Sequence, residues 1–186
     1  MVPALRNLYP VAQSQEELDQ LLLKYSVVVA EPTQVIGYIF SDGTSEKIDT
    51  WYKFKIIARY SQAPPVLSYV SWEVPSELYP ITSDEFVMGR PGGTVTIDGV
   101  EITQNDEGVP AFRKSQRYLL LVSLNPSTQI SELHLAPQGV LPVNPDNTLD
   151  KERRDSNLYQ VIQVYHGGSL AQLKDDLQKR VIPPVS

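Results

Sequence analysis

Only two histidines and no cysteine are available for nucleophilic or metal-binding chemistry in this chain of 186 residues. His134 and His166 are far apart in the sequence, and neither belongs to a His-x-x-x-His or related spacing of the kind that holds zinc. Without thiolates there is no cysteine ligand set either. The sequence therefore predicts no metal site and no bound cofactor.

The segment His166-Gly167-Gly168-Ser169 is superficially similar to the oxyanion loop of lipases. Those enzymes also need a nucleophile elbow of the form Gly-x-Ser-x-Gly, which this chain lacks. A glycine turn that leads into a serine helix cap accounts for all four residues. We assign no catalytic residue from the sequence, and a hydrolase that uses distant carboxylates or His166 stays open as an alternative.

Aromatic side chains are the candidates for ligand contact. Trp51, Tyr69, Trp72 and Tyr79 are expected near strand ends or in loops, where β-barrels often bind their ligands. Aromatic faces stack on sugars and on peptide side chains, although they also fill protein cores. The sequence gives these four residues as a candidate ligand-binding site for a protein or a carbohydrate.

The charge balance excludes one class of partner. The net charge of −6 and the pI of about 4.9 argue against a nucleic-acid surface, because phosphate binding depends on clustered lysine and arginine. No apolar run approaches the ~20 residues that span a bilayer, so we expect no membrane insertion. Residues 1–15 lack a signal-peptide core. Either the protein is cytosolic, or it is exported and a leader has been removed.

Short helices are expected near both ends of the chain. After an extended arm at residues 1–13, Ser14 and Glu17 form a capping box that opens a helix over residues 14–25. A second cap at Ser169 and Gln172 opens a helix over residues 169–182. Leucines at helical spacing give each helix one apolar stripe for the core.

Strand patterns dominate between the helices. Residues 51–60 alternate aromatic or aliphatic side chains with Lys and Arg, which is typical of a strand with one wet face. Residues 117–122 and 158–165 are apolar on both faces and are predicted to be covered strands. A β-branched run begins at Val27, and Pro32 within it predicts a bulge or a bend.

The most explicit local prediction is a hairpin with an Asp98-Gly99 turn. Its register pairs Ile97 with Val100 and Val95 with Ile102 on one face. The opposite face carries Thr96 and Glu101. Turn chemistry and hydrophobic pattern agree, and this agreement sets the register.

Taken together, the patterns predict a single, mainly β domain over residues 1–186. Residues 27–165 are expected to form a small antiparallel barrel, similar to the oligonucleotide/oligosaccharide-binding (OB) type, or a two-sheet sandwich. Both architectures use the same alternation of side chains, so the two remain open. Alternating βα units are absent from the sequence pattern.

Four short motifs resemble those of exported bacterial β-barrel domains of unknown role. They are the valine-rich residues 27–30, the aromatic strand at 52–57, Arg90-Pro91-Gly92-Gly93, and Arg-Tyr-Leu-Leu-Leu at 117–121, which is followed by Gln138-Gly139-Val140. The layout is also similar to the OB-type barrel of netrin-like and tissue metalloproteinase-inhibitor domains over residues 27–143. Those inhibitors bind the protease metal through an N-terminal cysteine. This chain has none, so the resemblance implies a fold and no inhibitory or catalytic residue.

Three functional hypotheses follow. The first is a non-catalytic binding or interaction module on a β-barrel scaffold, with recognition in loops at residues 41–50, 75–92 and 144–156. The second is the hydrolase named above. The third is a structural component of a cell-envelope assembly that contributes a sheet edge or the N-terminal arm.

Overall fold

The computed structural model describes residues 12–41, 43, 45–61, 74–105, 111–134 and 138–179. Within these ranges the chain is mainly β, with antiparallel sheets and helices near its two ends, which confirms the predicted class. The arm predicted for residues 1–13 falls outside the described residues except for Ala12 and Gln13.

Eight strands form the described sheets: β1 Ser26–Ser41, β2 Glu46–Arg59, β3 Glu85–Pro91, β4 Gly93–Ile97, β5 Val100–Gln104, β6 Arg117–Leu124, β7 Ser131–Leu133 and β8 Val140–Val143. The helices are α1 Gln15–Lys24, α2 Asn157–Tyr165 and α3 Leu170–Lys179, with single 3₁₀ turns at Ser76–Leu78 and Lys151–Arg153. Residues 46–50 and 85–91, which the sequence predicts as parts of recognition loops, belong to strands β2 and β3. The loop prediction is wrong for these two stretches.

The main sheet has the strand order β3-β2-β1-β6-β7, and β8 also pairs with β6. β7 and β8 lie end to end along one edge of β6, and Leu121 is the joint between them. Its N–H donates to the Gly139 carbonyl (3.1 Å), and its own carbonyl accepts from the His134 N–H (2.8 Å). Two short strands thereby complete one edge of the sheet.

The main sheet is covered on both faces. Residues 118–122 of β6 are all buried, as the sequence predicted for a central strand. One face packs against the helices through Val27, Val29, Leu119 and Leu121. The other face encloses an aromatic-rich core that includes Tyr52, Phe54, Phe86, Phe112 and Tyr118. In this core Phe112 meets Tyr52, Phe54 and Tyr118 edge to face, at ring-centroid distances of 5.0–5.2 Å.

The long strand β1 bends where its sequence predicts. Its register against β2 shifts between Val29 and Ala30, and again between Pro32 and Gln34. Proline has no amide donor for the ladder, so a bulge next to Pro32 avoids a broken hydrogen bond in regular pairing.

In each predicted capping box, the hydrogen bond to the serine side chain is confirmed. The Ser14 hydroxyl accepts from the Glu17 amide at 3.1 Å, and the Ser169 hydroxyl accepts from the Gln172 amide at 3.1 Å. The Glu17 carboxylate, however, accepts from the Gln13 amide (2.6 Å) and not from that of Ser14. Both helices begin one residue after their serine, as expected.

The strand predicted at residues 158–165 is wrong, because this segment is helix α2. Leu158, Val161 and Ile162 are buried at spacings of three and four residues, whereas Val164 is 64% exposed. That spacing places one apolar stripe against the sheet face next to α1 and α3. The segment is part of the helical layer.

The predicted hairpin is confirmed in its register. β4 and β5 form a separate two-stranded sheet in which Ile97 pairs with Val100, Val95 with Ile102 and Thr96 with Glu101. Asp98 and Gly99 both have positive φ, 49° and 80°, as a type I′ turn requires.

Strand pairing does not close the main sheet within the described part of the chain. β3 pairs only with β2, and β7 and β8 pair only with β6. β3 nevertheless lies close to β7, and Val87 and Ile130 belong to the same apolar cluster. The antiparallel, mainly β architecture is therefore established.

Replacement of Gly93 at the base of the hairpin tests how the hairpin is attached to the sheet. Gly93 has φ +137°, and a Cβ there would lie 1.9 Å from the Thr50 hydroxyl oxygen, which donates to the Gly92 carbonyl. We expect Gly93→Ala to lower the free energy of unfolding by more than about 2 kcal/mol. Gly43→Ala is the control, because Gly43 has φ +82° with no atom within 4 Å of the added Cβ. Its cost should be about 1 kcal/mol of backbone strain, measured by chemical denaturation. Equal costs for the two variants would contradict the attachment described here.

Candidate functional site

The aromatic residues predicted to bind a ligand are only partly within the described structure. Tyr69 and Trp72 lie outside it. Trp51 on β2 is 7% exposed and packs with Val74, Leu78, Val87 and Ile130. The backbone of Gly89 lies against its ring, since a Cβ at that glycine would be 3.2 Å from the indole. Tyr79, which is half-buried, packs on the same cluster. The structure thus brings Trp51 and Tyr79 together as packing partners.

His166 is fully buried between two carboxylates. Its Nε2 lies 2.7 Å from Asp19 Oδ1, and its Nδ1 lies 3.0 Å from Asp176 Oδ2. Asp19 is on α1, His166 ends α2 and Asp176 is on α3, so one imidazole joins all three helices. We call this group the helix clamp. The sequence predicted the glycine turn that follows His166, but neither aspartate stood out.

The helix clamp suits a structural role. Each ring nitrogen of His166 faces one carboxylate oxygen, so a single imidazole can hydrogen-bond to both aspartates. His166 has 0% exposure and Asp19 has 4%, which leaves no surface for a substrate.

His134 and Ser123 form a second polar group, at the rim of the sheet face that the helices cover. The Ser123 hydroxyl is hydrogen-bonded to His134 Nε2. The His134 ring stacks on Tyr25, with centroids 3.8 Å apart and planes inclined by 16°. His134 is half-buried just beyond the end of β7.

The electrostatics of His134 favour the neutral ring. Burial lowers the pKa of His134 below its ordinary value of 6.5, and the nearby Glu132 carboxylate opposes this shift in pKa. A neutral imidazole at Nε2 can accept the hydroxyl proton of Ser123. Glu132 in turn accepts from the Asn125 amide at 2.7 Å. A hydroxyl, a base, a carboxylate and an amide therefore share one rim of the sheet.

The hairpin carries a large apolar surface that remains open to solvent. Its apolar face (Val95, Ile97, Val100 and Ile102) is anchored at Val95, which contacts Gly37 of β1. Beyond that contact Ile97 is 40% exposed, Ile102 44% and Val100 62%. All five residues of β5 are exposed. Aliphatic side chains that alternate along a strand normally cover a core, so their exposure here is a candidate contact surface.

A shallow groove of about 590 Å³ lies between the beginning of α1 and the outer side of α2. The Gln15 side-chain amide crosses it and donates to Gln160 Oε1 at 2.7 Å. The groove is open and mixed in polarity. Its lining residues are Gln15, Arg154, Tyr159, Gln160, Gln163 and Val164.

No group of three or more His, Asp or Glu side chains able to hold a metal ion occurs within the ranges described. None of the described helices is both long enough and apolar enough to cross a bilayer.

The helix clamp predicts that substitution of a buried aspartate in the helical layer lowers the free energy of unfolding much more than substitution of an exposed one. Asp19→Asn replaces the carboxylate that faces the buried Nε2 of His166 with an amide and disturbs a buried hydrogen bond, so we expect a loss of about 2 kcal/mol in unfolding free energy. Asp175→Asn is the matched control on α3, because Asp175 meets Lys179 at 3.9 Å on the exposed surface. Its effect should stay within about 0.5 kcal/mol. Urea denaturation of both variants measures the difference, and a loss at Asp19 no larger than at Asp175 would refute the clamp.

Comparison with known proteins adds no relative. No protein-family model matches the chain, and neither the curated proteins nor the solved structures contain a significant match. Assignment of function therefore depends on the geometry of the sites themselves.

Proposed function

We propose that this protein is a non-catalytic interaction module that binds another protein through the β4–β5 hairpin. The observation that carries the proposal is the exposure of Ile97, Val100 and Ile102 on one face of a regular hairpin. The main sheet supplies the scaffold, and the hairpin lies against its strands β1 and β2.

The energetics of an isolated hairpin support this proposal. A two-stranded sheet is marginally stable in water unless a third strand or a packed layer covers it. Here the base is fixed, because the Gly92 amide donates to Ile48 O (2.7 Å) and the Ile48 amide donates to the Gln104 side chain (2.8 Å). Among the described residues no such hydrogen bond fixes the distal half, and a partner that buried its three aliphatic side chains would gain about 25 cal/mol per Å² of apolar surface.

The chemistry of the face favours a protein over a carbohydrate. Sugars are recognised by aromatic platforms and convergent polar groups. The apolar hairpin face has branched aliphatic side chains, and the acidic Glu101 lies on the opposite face with Thr96. An uncharged, flat aliphatic surface beside a free strand edge fits an added β-strand.

The proposed scaffold is a strongly curved sheet of the barrel type. The closeness of β3 to β7 and the enclosed aromatic core both support near-closure, since a barrel removes exposed strand edges. The likeness to OB-type barrels noted from the sequence motifs remains part of this proposal.

A triple substitution separates an exposed contact face from a folded core. In the variant Ile97→Thr, Val100→Thr and Ile102→Thr, threonine retains the β-branch and strand propensity but removes apolar surface. We expect the free energy of unfolding to change by less than about 1 kcal/mol, because these side chains already face water. Binding of the fluorescent apolar probe bis-ANS should fall several-fold.

Val28→Thr is the matched control, because Val28 is 0% exposed. It should cost about 2 kcal/mol by placing a hydroxyl in the core, and it should not reduce binding of the probe to the native protein. A large loss of stability in the triple variant would mean that the hairpin face belongs to the core, and the interaction proposal would then fail.

We infer a second candidate function, hydrolysis, from the hydrogen bond between Ser123 and His134. The His134 ring stacks on Tyr25, which holds the imidazole in one plane. The lowered pKa of His134 keeps this ring available as a base near neutral pH. In this reaction the Ser123 oxygen would attack an ester carbonyl and pass its proton to Nε2. The imidazole would return that proton to the departing alcohol as the ester C–O bond breaks, and water would then release the acyl group from Ser123. In this proposal the base is His134, because His166 is enclosed by the helix clamp.

A fluorophosphonate probe tests the second function directly. Attack by Ser123 on phosphorus would displace fluoride and add one phosphonyl group per chain, detected by intact mass. Labelling should be lost in Ser123→Ala and retained in Ser127→Ala, whose serine is exposed on a nearby turn. Because burial lowers the pKa of His134, the labelling rate should stay high as pH falls through 6.5 and should decline only at lower pH. No adduct, or an adduct that survives in Ser123→Ala, would exclude this function.

A further inference from the structure

We propose that the partner of the hairpin is a second copy of this chain, which pairs its own β5 antiparallel to β5 with Ile102 on the two-fold axis. This inference rests on the proposed interaction function and names its partner. It follows from three properties of the hairpin: which edge is free, which backbone groups face outward, and how the side chains would meet.

β5 supplies the free edge. The other strand of the hairpin lies against β1, where the Thr94 carbonyl oxygen would be only 2.4 Å from a Cβ on Gly37. β5 pairs with β4 alone among the strands described, and each of its residues is exposed. A row of unpaired amides and carbonyls on such an edge is a template for another strand.

The type I′ turn determines which backbone groups of β5 point outward. In a two-residue hairpin the closing pair, Ile97 and Val100, exchanges both backbone hydrogen bonds. The pairing alternates, so Val95 and Ile102 form the next hydrogen-bonded pair. The N–H and C=O groups of Glu101 and Thr103 therefore face away from β4 and are the ones available to a partner.

A two-fold axis through Ile102 uses all of these groups. It places Glu101 opposite the partner's Thr103 and Thr103 opposite the partner's Glu101, which gives four backbone hydrogen bonds. Ile102 then meets its own copy on the apolar face, and the two apolar faces join into one four-stranded surface. The interface is isologous, as expected for a closed dimer.

Neighbouring registers are worse. An axis through Glu101 puts two like charges directly opposite each other, which is destabilising in an antiparallel pair. An axis through Thr103 sets Ile102 against the partner's Gln104 and breaks the apolar stripe. A register shifted by one residue would turn the apolar face of one hairpin to the polar side of the other. The Ile102 axis opposes no like charges and sets Ile102 against its own copy, while Val100 lies opposite the partner's Gln104.

Net charge sets the expected strength of the dimer. Each chain carries −6, so two copies repel one another at long range, and salt screens this repulsion. Dimerisation should therefore strengthen as ionic strength rises, which sedimentation velocity of the unmodified protein can measure. A polar or charge-driven contact between copies would show the opposite salt dependence.

Cysteine cross-linking reads the register, because the chain has no native cysteine. Across the new edge Ile102 and its copy form a non-hydrogen-bonded pair with Cα atoms about 4.5 Å apart, which is within disulfide range. Val100 is the control: it faces the partner's Gln104, so the two copies of Val100 lie about 14 Å apart. Ile102→Cys should form disulfide dimers under mild oxidation at least about tenfold faster than Val100→Cys, although Val100 is the more exposed side chain.

The outcomes are distinct. Preferential cross-linking at position 102, together with salt-strengthened association of the wild type, supports the dimer. Equal cross-linking at positions 100 and 102 indicates random collision and overturns it, as does a wild type that remains monomeric at all salt concentrations. A monomeric wild type that still shows the bis-ANS and stability results given above would leave the interaction module intact and exclude only the second copy.

Discussion

Five consecutive residues of β6 have almost no solvent exposure, so other parts of the chain must cover both faces of this strand. The alternation of a strand sends Leu119 and Leu121 to one side and Tyr118, Leu120 and Val122 to the other. Three helices cover the first side, and a second core that includes Phe112 covers the other. The Ser123–His134 pair lies beside Tyr25 at the end of α1, and the hairpin lies against β1 and β2.

The helical cover is held by a polar contact inside an apolar layer. His166 and its two aspartates sit among leucines that are themselves fully buried, such as Leu22, Leu170 and Leu173. Apolar burial is non-directional, whereas a hydrogen bond accepts few geometries. The clamp therefore defines one relative position of α1, α2 and α3. A histidine enclosed in this way is unsuited to catalysis, and it makes His134 the more relevant imidazole of the two.

Features encoded by neighbouring residues could be predicted from the sequence, and features that join distant residues could not. The Asp98-Gly99 hairpin, the bulge near Pro32 and the serine caps each depend on a few adjacent side chains. Residues 158–165 satisfied both the strand and the helix spacing, and only the tertiary position next to α1 decides between them. The clamp joins positions 19 and 166, and no local pattern reports such a pairing. Ser123 and His134 are close in sequence, but their contact depends on how β7 turns back on β6.

The distance in sequence between Asp19 and His166 has a consequence for biosynthesis. Because a ribosome releases the chain from its N-terminal end, α1 emerges long before the helices that receive it. Leu18 and Leu22, which have 1% and 0% exposure in the finished fold, share an apolar cluster with residues of α2, so they are fully enclosed only after α2 has been synthesised. The loop that closes between α1 and α2 contains most of the chain, and its closure is slow for that reason. During that interval the nascent protein offers an amphipathic helix to chaperones.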